Sequence, residues 1–576
     1  IGIDLYALIP SSLFQKLSVF FQETPLEFFI SLSAPLRDIV LEVKNKFFLK
    51  FNSGFNWLTD RYIDIVKHII DYPRTYLSIF FGLIFATYLI YAIVPVGFIP
   101  NEDKGFFTTQ ISLPNNATLN RTESVSNGYI KFLMNSKDIA NNISLIGLDQ
   151  LNSGAQKTNI ATIISNLKDW DLRKKSSDNL INWANSEYGS KQKDATFIAY
   201  NQPAIDGLSS TNGIEFFIQD KVEGNYNNLE SNLTSMLEKI KNNHKVKNAY
   251  FTFNAKGTEV NILADVDRAK LYGVNITDIY NVLETNFGPN LVNYFYKMGA
   301  LYWVVLEGDE NYRKTPFQLE NLYVKNNSNV MVPLSSITST KFSNVPDVIE
   351  RFNDYLAAKI VVEPKSGYTE WDIMNVISEA AKSVLPRSYD FSWYGVSFLQ
   401  QNSGAASYLA FLFGAVMIFL VLAAQFEMWR LPFVVIMGIP FALFGAGLIL
   451  LARGLTNDLY FQISLITLLG LSAKNSILIT EFAIAHCRDG LSKVDAVILA
   501  SRQRFRPIIM TSLAFILGAL PLAFATGANS NAEHSVGTGI IGGMLGSTFI
   551  ATLFVPMFFV VVMGKKDVIE SDKDEE

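Results

Sequence analysis

The stretch GLSAKNSILITEFA, residues 470–483, sets a lysine in the middle of an apolar run that extends from about Tyr460 to Ala485. The run is long enough to cross a bilayer, which takes about 20 mostly apolar residues. A charge near the centre of such a helix costs roughly 2.5–3.5 kcal/mol on insertion scales. Two readings of Lys474 follow. It could snorkel to the interface while the helix tilts. Alternatively it faces a bundle interior and pairs with a carboxylate, as ion and proton relays do. About fourteen residues of the run precede Lys474 and about eleven follow, which places it near the midplane and favours the second reading.

Five more stretches have the length and apolarity of a span. They are Tyr76–Val96, Ala405–Ala424, Leu431–Ala452, Pro507–Thr526 and Thr538–Met563. One span, a gap of about 300 residues and then five clustered spans give a distinctive layout. The composition agrees: of 576 residues 49% are hydrophobic and 18% charged, against roughly 25% charged in soluble domains. A net charge of −5 gives no sign of nucleic-acid binding. Cys487 is the single cysteine, so no disulfide forms within the chain. Residue 1 is Ile and no signal peptide is recognisable, as expected of a fragment, a processed product or one piece of a split gene.

Basic residues orient the spans. Lys44, Lys46, Lys50, Arg61, Lys67 and Arg74 precede the first span; Arg488, Lys493, Arg502, Arg504 and Arg506 lie between the fourth and fifth; Lys565 and Lys566 follow the sixth. With six spans these segments share one side, read as cytoplasmic. Residues 1–75 are then a cytoplasmic segment and 564–576 a cytoplasmic tail. The 97–404 domain lies on the other side. Phe55, Leu58, Tyr62, Ile65, Val66 and Ile69 recur at helical spacing, which predicts an amphipathic helix on the inner membrane face. Residues 1–45 hold short apolar runs without a full span.

The large domain alternates strand and helix signals. GTEVNILADVD (257–267) reads as a strand and KLYGVNITDIYNVLE (270–284) as a helix with Asn275 as a cap; AAKIVVEP (357–364) and TEWDIMNVISEAAKSVL (369–385) repeat the pair. The fold class is therefore a polytopic α-helical membrane protein with a large α+β domain. There is no Walker loop, so ATP is not a direct energy source. Four histidines and one cysteine show no metal-ligand spacing, so no metal site is expected.

Within the spans, Glu481 stands seven residues after Lys474 on the same helix face, about 10.5 Å along the axis and too far for a direct pair. It is the only carboxylate in any span. Arg504 and Arg506 stand at the mouth of the fifth span, with Thr511 inside it. Taken alone, Arg504 is a common interfacial anchor and Glu481 could reach the interface. Gly539/Gly543, Gly542/Gly546 and Gly438/Ala442/Ala446 are small-residue patches for close helix packing.

GLSAKNSILITEFA, RFRPIIMTSLAFILGALPL (504–522), GLTNDLYFQ (454–462), VGTGIIGGM (536–544), GFIPNEDKGFF (97–107), LKDW (167–170), NQPAI (201–205) and RGLTND (453–458) together resemble the C-terminal half of a resistance–nodulation–division exporter of the hydrophobe/amphiphile efflux branch. The resemblance runs from about Phe47 to the C-terminus. It implies a proton-driven multidrug antiporter of a bacterial inner membrane with no cofactor beyond the coupling protons. It also implies a trimer, a periplasmic adaptor and an outer-membrane channel as partners. Lys474 matches the relay lysine, Arg504 the arginine seven residues before the relay threonine, and Thr511 that threonine; Asn475 and Glu481 are supporting candidates. In the family two aspartates of the N-terminal half hold the lysine. They have no counterpart here, so a companion N-terminal half is expected.

The resemblance also implies βαβ porter units at 100–204 and at 205–250 plus 335–391, with a docking insertion at 251–334. On the substrate path it points to Gly154, in the glycine-rich loop GLDQLNSGAQKTN (147–159), and to Thr162 and Tyr200. That loop is free of aromatic residues, whereas aromatic surface supplies much of the affinity for drug-like molecules. The alternatives are a non-drug member of the superfamily, exporting lipid or protein, and a remnant half without transport activity.

Overall fold

A computed structural model describes residues 34–563 apart from Ser153, Glu223 and Ser366, and leaves out the side chains of 34–48 and 403–408. The apolar runs before residue 34, Lys565, Lys566 and the 564–576 tail lie outside the described residues. The chain divides into a helical unit (1–95, 406–525 and 532–576) and an α/β unit (96–405 and 526–531).

The helical unit begins with α1, Ala34–Asp71, and α2, Pro73–Ile93. Proline suits the first turn of α2, where its missing N–H has no helical partner. Tyr62, Ile63, Val66 and Ile69 of α1 are buried, while Leu58 and Ile65 from the expected apolar face are exposed. The face is rotated because α1 finds protein to pack on. Tyr62 stacks on Phe505 at 4.2 Å between centroids, and its hydroxyl donates to the Thr552 carbonyl at 3.1 Å. Arg502 and Asp60 form an ion pair across the same contact.

The α/β unit contains the same arrangement twice. In the first, β1 (Phe106–Ser112), α3 (Leu119–Leu133), β2 (Ile139–Asp149), β3 (Ala155–Leu167), α4 (Ser177–Glu187) and β4 (Thr196–Tyr200) give strand order β2-β3-β1-β4. In the second, β5 (Ile214–Asp220), α5 (Tyr226–Lys241), β6 (Val246–Phe251), β7 (Glu350–Phe352), β8 (Tyr355–Pro364), α6 (Glu370–Val384) and β9 (Tyr389–Trp393) give order β7-β8-β5-β9, with β6 also on β8. The pairing is antiparallel throughout. Each helix therefore links parallel strands that are not neighbours, and the expected βαβ unit is a split one, with a third strand inserted. Each sheet has its own core, one around Phe107, Tyr129 and Leu180, the other around Phe216, Leu233 and Ile373. α6 starts on a capping box in which Thr369 and Asp372 satisfy each other's backbone N–H.

Between β6 and β7 the chain forms a smaller body around Ile279, Leu319 and Leu334. Its strands Gly257–Ala264 and Thr338–Val345 pair antiparallel. The helix expected over 270–284 divides into Val266–Leu271 and Ile276–Phe287. Gly273, at φ +67°, breaks the first, and Asn275 caps the second through the Thr277 N–H.

The remaining helices are α7 (Gly395–Phe426), α8 (Leu431–Ile436), α9 (Ile439–Arg453), α10 (Leu459–Arg488), α11 (Lys493–Ala523), α12 (Ser530–Gly546) and α13 (Thr552–Val562), the last two joined by a π-turn at Ser547–Ala551. The described residues hold six helices long and apolar enough to cross a membrane. The third is interrupted at Met437–Gly438, just before Pro440, which has no N–H to donate to the Ile436 carbonyl and whose ring crowds that carbonyl. The fifth begins at Lys493, so Arg502, Arg504 and Arg506 are helical rather than in a loop. The close approach of α9 and α12 uses Gly445: a Cβ there would collide with the Gly542 carbonyl oxygen and lie 2.9 Å from Gly546 Cα.

Candidate functional site

α10 carries the residue that opened the sequence question. Asp458 caps it by accepting from the Phe461 N–H at 2.8 Å, and Ser535 Oγ donates to the other carboxylate oxygen at 2.5 Å. Among its buried residues are Ser464, Leu468, Ser472, Asn475, Ser476, Ile479 and Thr480. On the opposite side Ile463, Ile466, Thr467, Gly470, Glu481, Ala485 and Arg488 are exposed, and half-buried Lys474 continues their line. Spacings of three and four residues make this one stripe along the helix. Lys474 is therefore turned away from the interior of the described bundle.

Lys474 Nζ lies 5.4 Å from the Phe515 ring centroid, a cation–π distance. No described carboxylate oxygen comes within 4.0 Å of it. Glu481, two turns along the stripe, likewise has no ion-pair partner among the described residues. Thr511, one turn before Phe515 on α11, donates its hydroxyl to the Ile508 carbonyl of its own helix at 3.1 Å. Arg504 lies over Phe482, with Cζ 3.3 Å from the ring centroid, and its buried Nε has no hydrogen-bond partner among the described residues. Phe482 is eight residues past Lys474, about 12 Å along the axis, so Arg504 and Lys474 are not brought together.

Asn475 belongs to the buried side. Its amide donates to Ser547 Oγ at 3.3 Å and, at the limit of hydrogen bonding, to Ser512 Oγ at 3.5 Å. Ser547 opens the π-turn, a helix irregularity often found at functional sites. Ser472, Ser476 and Thr548 have buried hydroxyl oxygens without partners among the described residues. A polar seam thus runs behind Lys474.

In the α/β unit, Gly154 is exposed at φ +78° in the β2–β3 loop. Thr162 is buried on β3 and donates its hydroxyl to the Leu148 carbonyl at 2.7 Å. Tyr200 packs with Leu151, Tyr250 and Val361 in a small cluster that joins the two sheets; burial raises its phenol pKa. Sequence reasoning missed the charged groups beside this cluster. Lys359 and Glu215 are 4% and 0% exposed, with Nζ and Oε2 4.0 Å apart. Lys157 pairs with the fully buried Asp149 at 3.2 Å. Burial pushes the Glu215 carboxyl up, and Lys359 together with donors from Ser210 and Thr211 pulls it partly back. A lysine inside AAKIVVEP and a glutamate inside IEFFIQD were the available signals, since charges inside apolar strands need partners.

The described residues thus combine six helices of membrane-spanning length, a twofold-repeated α/β arrangement and a lysine on an incompletely covered helix face, the build of a multi-helix membrane protein with a large α/β unit. The AcrB/AcrD/AcrF family model matches residues 31–563, and the chain belongs to that family. It is 33% identical over 536 residues to the multidrug/solvent efflux pump membrane transporter MepB of Pseudomonas putida, covering 92% of this chain and 50% of MepB. It is 32% identical over 537 residues to the toluene efflux pump membrane transporter TtgE, also of Pseudomonas putida, covering 92% and 51%. It is 32% identical over 524 residues to the multidrug resistance protein MdtF of Escherichia coli, covering 90% and 50%. The chain spans about half the length of these relatives.

Proposed function

We propose that this chain acts as the C-terminal half of a proton-driven resistance–nodulation–division efflux transporter. It sits in a bacterial inner membrane with 97–404 in the periplasm, and it exports hydrophobic or amphiphilic compounds. It works with an N-terminal half or full-length protomers, as a trimer joined to a periplasmic adaptor and an outer-membrane channel. Porter units are assigned to 100–204 and 205–250 plus 335–391, docking to 251–334, and the proton relay to Lys474, Arg504 and Thr511.

The observation that carries this reading is the position of Lys474 on the uncovered stripe of α10, with no carboxylate in reach among the described residues. An ammonium group at membrane depth is stable only with a polar or anionic partner. The stripe leaves room for a helix that would supply one. Aspartates there, protonated in one state and ionised in another, would hold and release the amine and so couple proton entry to helix movement. A membrane potential of 100 mV contributes about 2.3 kcal/mol per charge moved.

The test is co-expression with a family N-terminal half that carries the aspartate pair, followed by co-purification and efflux of a fluorescent amphiphile under a proton gradient. Co-purification with gradient-dependent efflux is expected, and Lys474→Ala should abolish efflux while leaving co-purification unchanged. Undiminished efflux from Lys474→Ala would refute the relay assignment. A second reading, a substrate less aromatic than typical drugs, is favoured by the 147–159 loop and by the charged side chains around Lys359.

A further inference from the structure

Lys474 and Asn475 are neighbours in sequence on different sides of α10. Asn475 is tied to Ser512 of α11 at 3.5 Å and to Ser547 at 3.3 Å. Phe515 follows Ser512 by three residues, so the two lie on adjoining parts of one face of α11. Holding residue 475 against Ser512 therefore sets the level at which residue 474 meets α11, and the side chain at that level is Phe515. Lys474 Nζ stands 5.4 Å from the ring centroid. Among the described residues the amine makes no hydrogen bond and no ion pair. Thr511, one turn before the ring, already donates its hydroxyl to the Ile508 carbonyl.

The surroundings leave the amine room to move. A Cβ added at Gly470, one turn before Lys474, meets nothing within 4 Å, and neither does one at Gly518, one turn past Phe515. Helical side chains lean over the preceding turn, so the lysine swings across Gly470 without crossing another side chain. Phe515 is 43% exposed, which leaves its ring accessible to the amine.

We propose that Phe515 is a positioning residue of the relay: its ring holds the Lys474 ammonium against α11 whenever no ionised carboxylate holds it. The proposal rests on reading Lys474 as the relay lysine. A phenylalanine face attracts a cation within about 6 Å of its centroid, and more strongly once water is excluded. An ionised carboxylate outcompetes the ring because it adds charge-assisted hydrogen bonds. A protonated acid loses that advantage, and the amine then settles on the ring. The lysine so passes between two defined places at membrane depth, where an unpartnered ammonium group is costly. The ring shares α11 with Arg504 and Thr511, so the arrival or departure of the charge acts on that helix directly.

The test has two arms. In the first, 4-fluorophenylalanine replaces Phe515 in the full chain in detergent, and fluorine NMR reads the ring. Lys474→Met and Lys474→Arg both keep a long side chain beside it, but only the first removes the charge. Lys474→Met should move the resonance, and Lys474→Arg should leave it near the wild-type position. In the second arm the chain is assembled with a family N-terminal half, and efflux of a fluorescent amphiphile is measured. Mono-, di- and trifluorinated phenylalanine at 515 keep the ring's shape while draining negative charge from its face. Efflux should fall stepwise along the series, about tenfold at the trifluorinated ring. Phe515→Tyr should stay close to wild type, and Phe515→Leu should fall at least as far as the trifluorinated ring with co-purification unchanged. Efflux that is flat along the series overturns the proposal, whatever Phe515→Leu does. Identical resonances in the wild type and Lys474→Met overturn it as well. The first arm uses neither companion half nor substrate, so it fails or succeeds apart from the transport reading, which falls instead if Lys474→Ala exports normally.

Discussion

Glu370 offers the sharpest quantitative test of the α/β unit. It is the first residue of α6, and its Oε2 is sealed from solvent without a hydrogen-bond partner among the described residues. It borders a cavity with Ile99, Pro203, Ile214 and Val396. Burial alone raises its carboxyl from 4.5 to about 7. The folded protein therefore holds a proton that the unfolded chain releases across that interval. Where the folded state binds more protons, stability falls as pH rises. The contribution is complete below pH 4.5 and is lost as pH climbs through about 7. The interval of about 2.5 in pH, at 1.36 kcal/mol per unit, corresponds to about 3 kcal/mol.

Glu370→Gln keeps the shape and removes the titration. Asp178, Glu215, Glu350 and Glu363 are also pushed up by burial, so the informative quantity is the difference between wild type and variant. The assay is native-state hydrogen exchange of the α6 amides between pH 4.5 and 8, corrected for intrinsic rates. The wild-type protection free energy should fall by about 3 kcal/mol more than that of the variant. Equal pH dependence in the two proteins would show that the carboxyl is hydrated or partnered in solution, refuting the buried-acid reasoning.

Two further outcomes follow from packing. Gly445→Ala places a methyl group against the Gly542 carbonyl and Gly546 Cα; at a cost of about 1–3 kcal/mol for overpacking, it should lower the thermal midpoint of the helical unit in detergent, and an unchanged midpoint would mean that α9 and α12 do not meet as described. Thr369→Ala breaks the capping box of α6 and should cost about 1 kcal/mol, read as faster exchange in the first turn of α6 alone.

Much of the helical unit was legible because its signals are local. Six apolar windows mark membrane-length helices whatever surrounds them, and a lysine among them marks an unmet electrostatic need. Gly273 and Asn275 divided the expected 270–284 helix through conformational and capping preferences already present in the sequence. α1 is different. Its periodicity required an apolar face, but Phe505 and Ile509, more than 400 residues away in sequence, determined which residues form it. Gly445 was passed over for the same reason, since a close helix approach depends on which residues of two helices face each other.

The sequence by itself determined that this chain has helices of membrane-spanning length, an α+β body and a lysine in the middle of one apolar run, because length, periodicity and polarity act along the chain. Only the tertiary structure decided that Lys474 lies on an uncovered stripe while Asn475 faces Ser547. The same holds for Lys359, Glu215 and Leu151 meeting at the seam between two sheets. Those facts depend on contacts between segments distant in sequence, and neither spacing nor composition encodes which segments will meet.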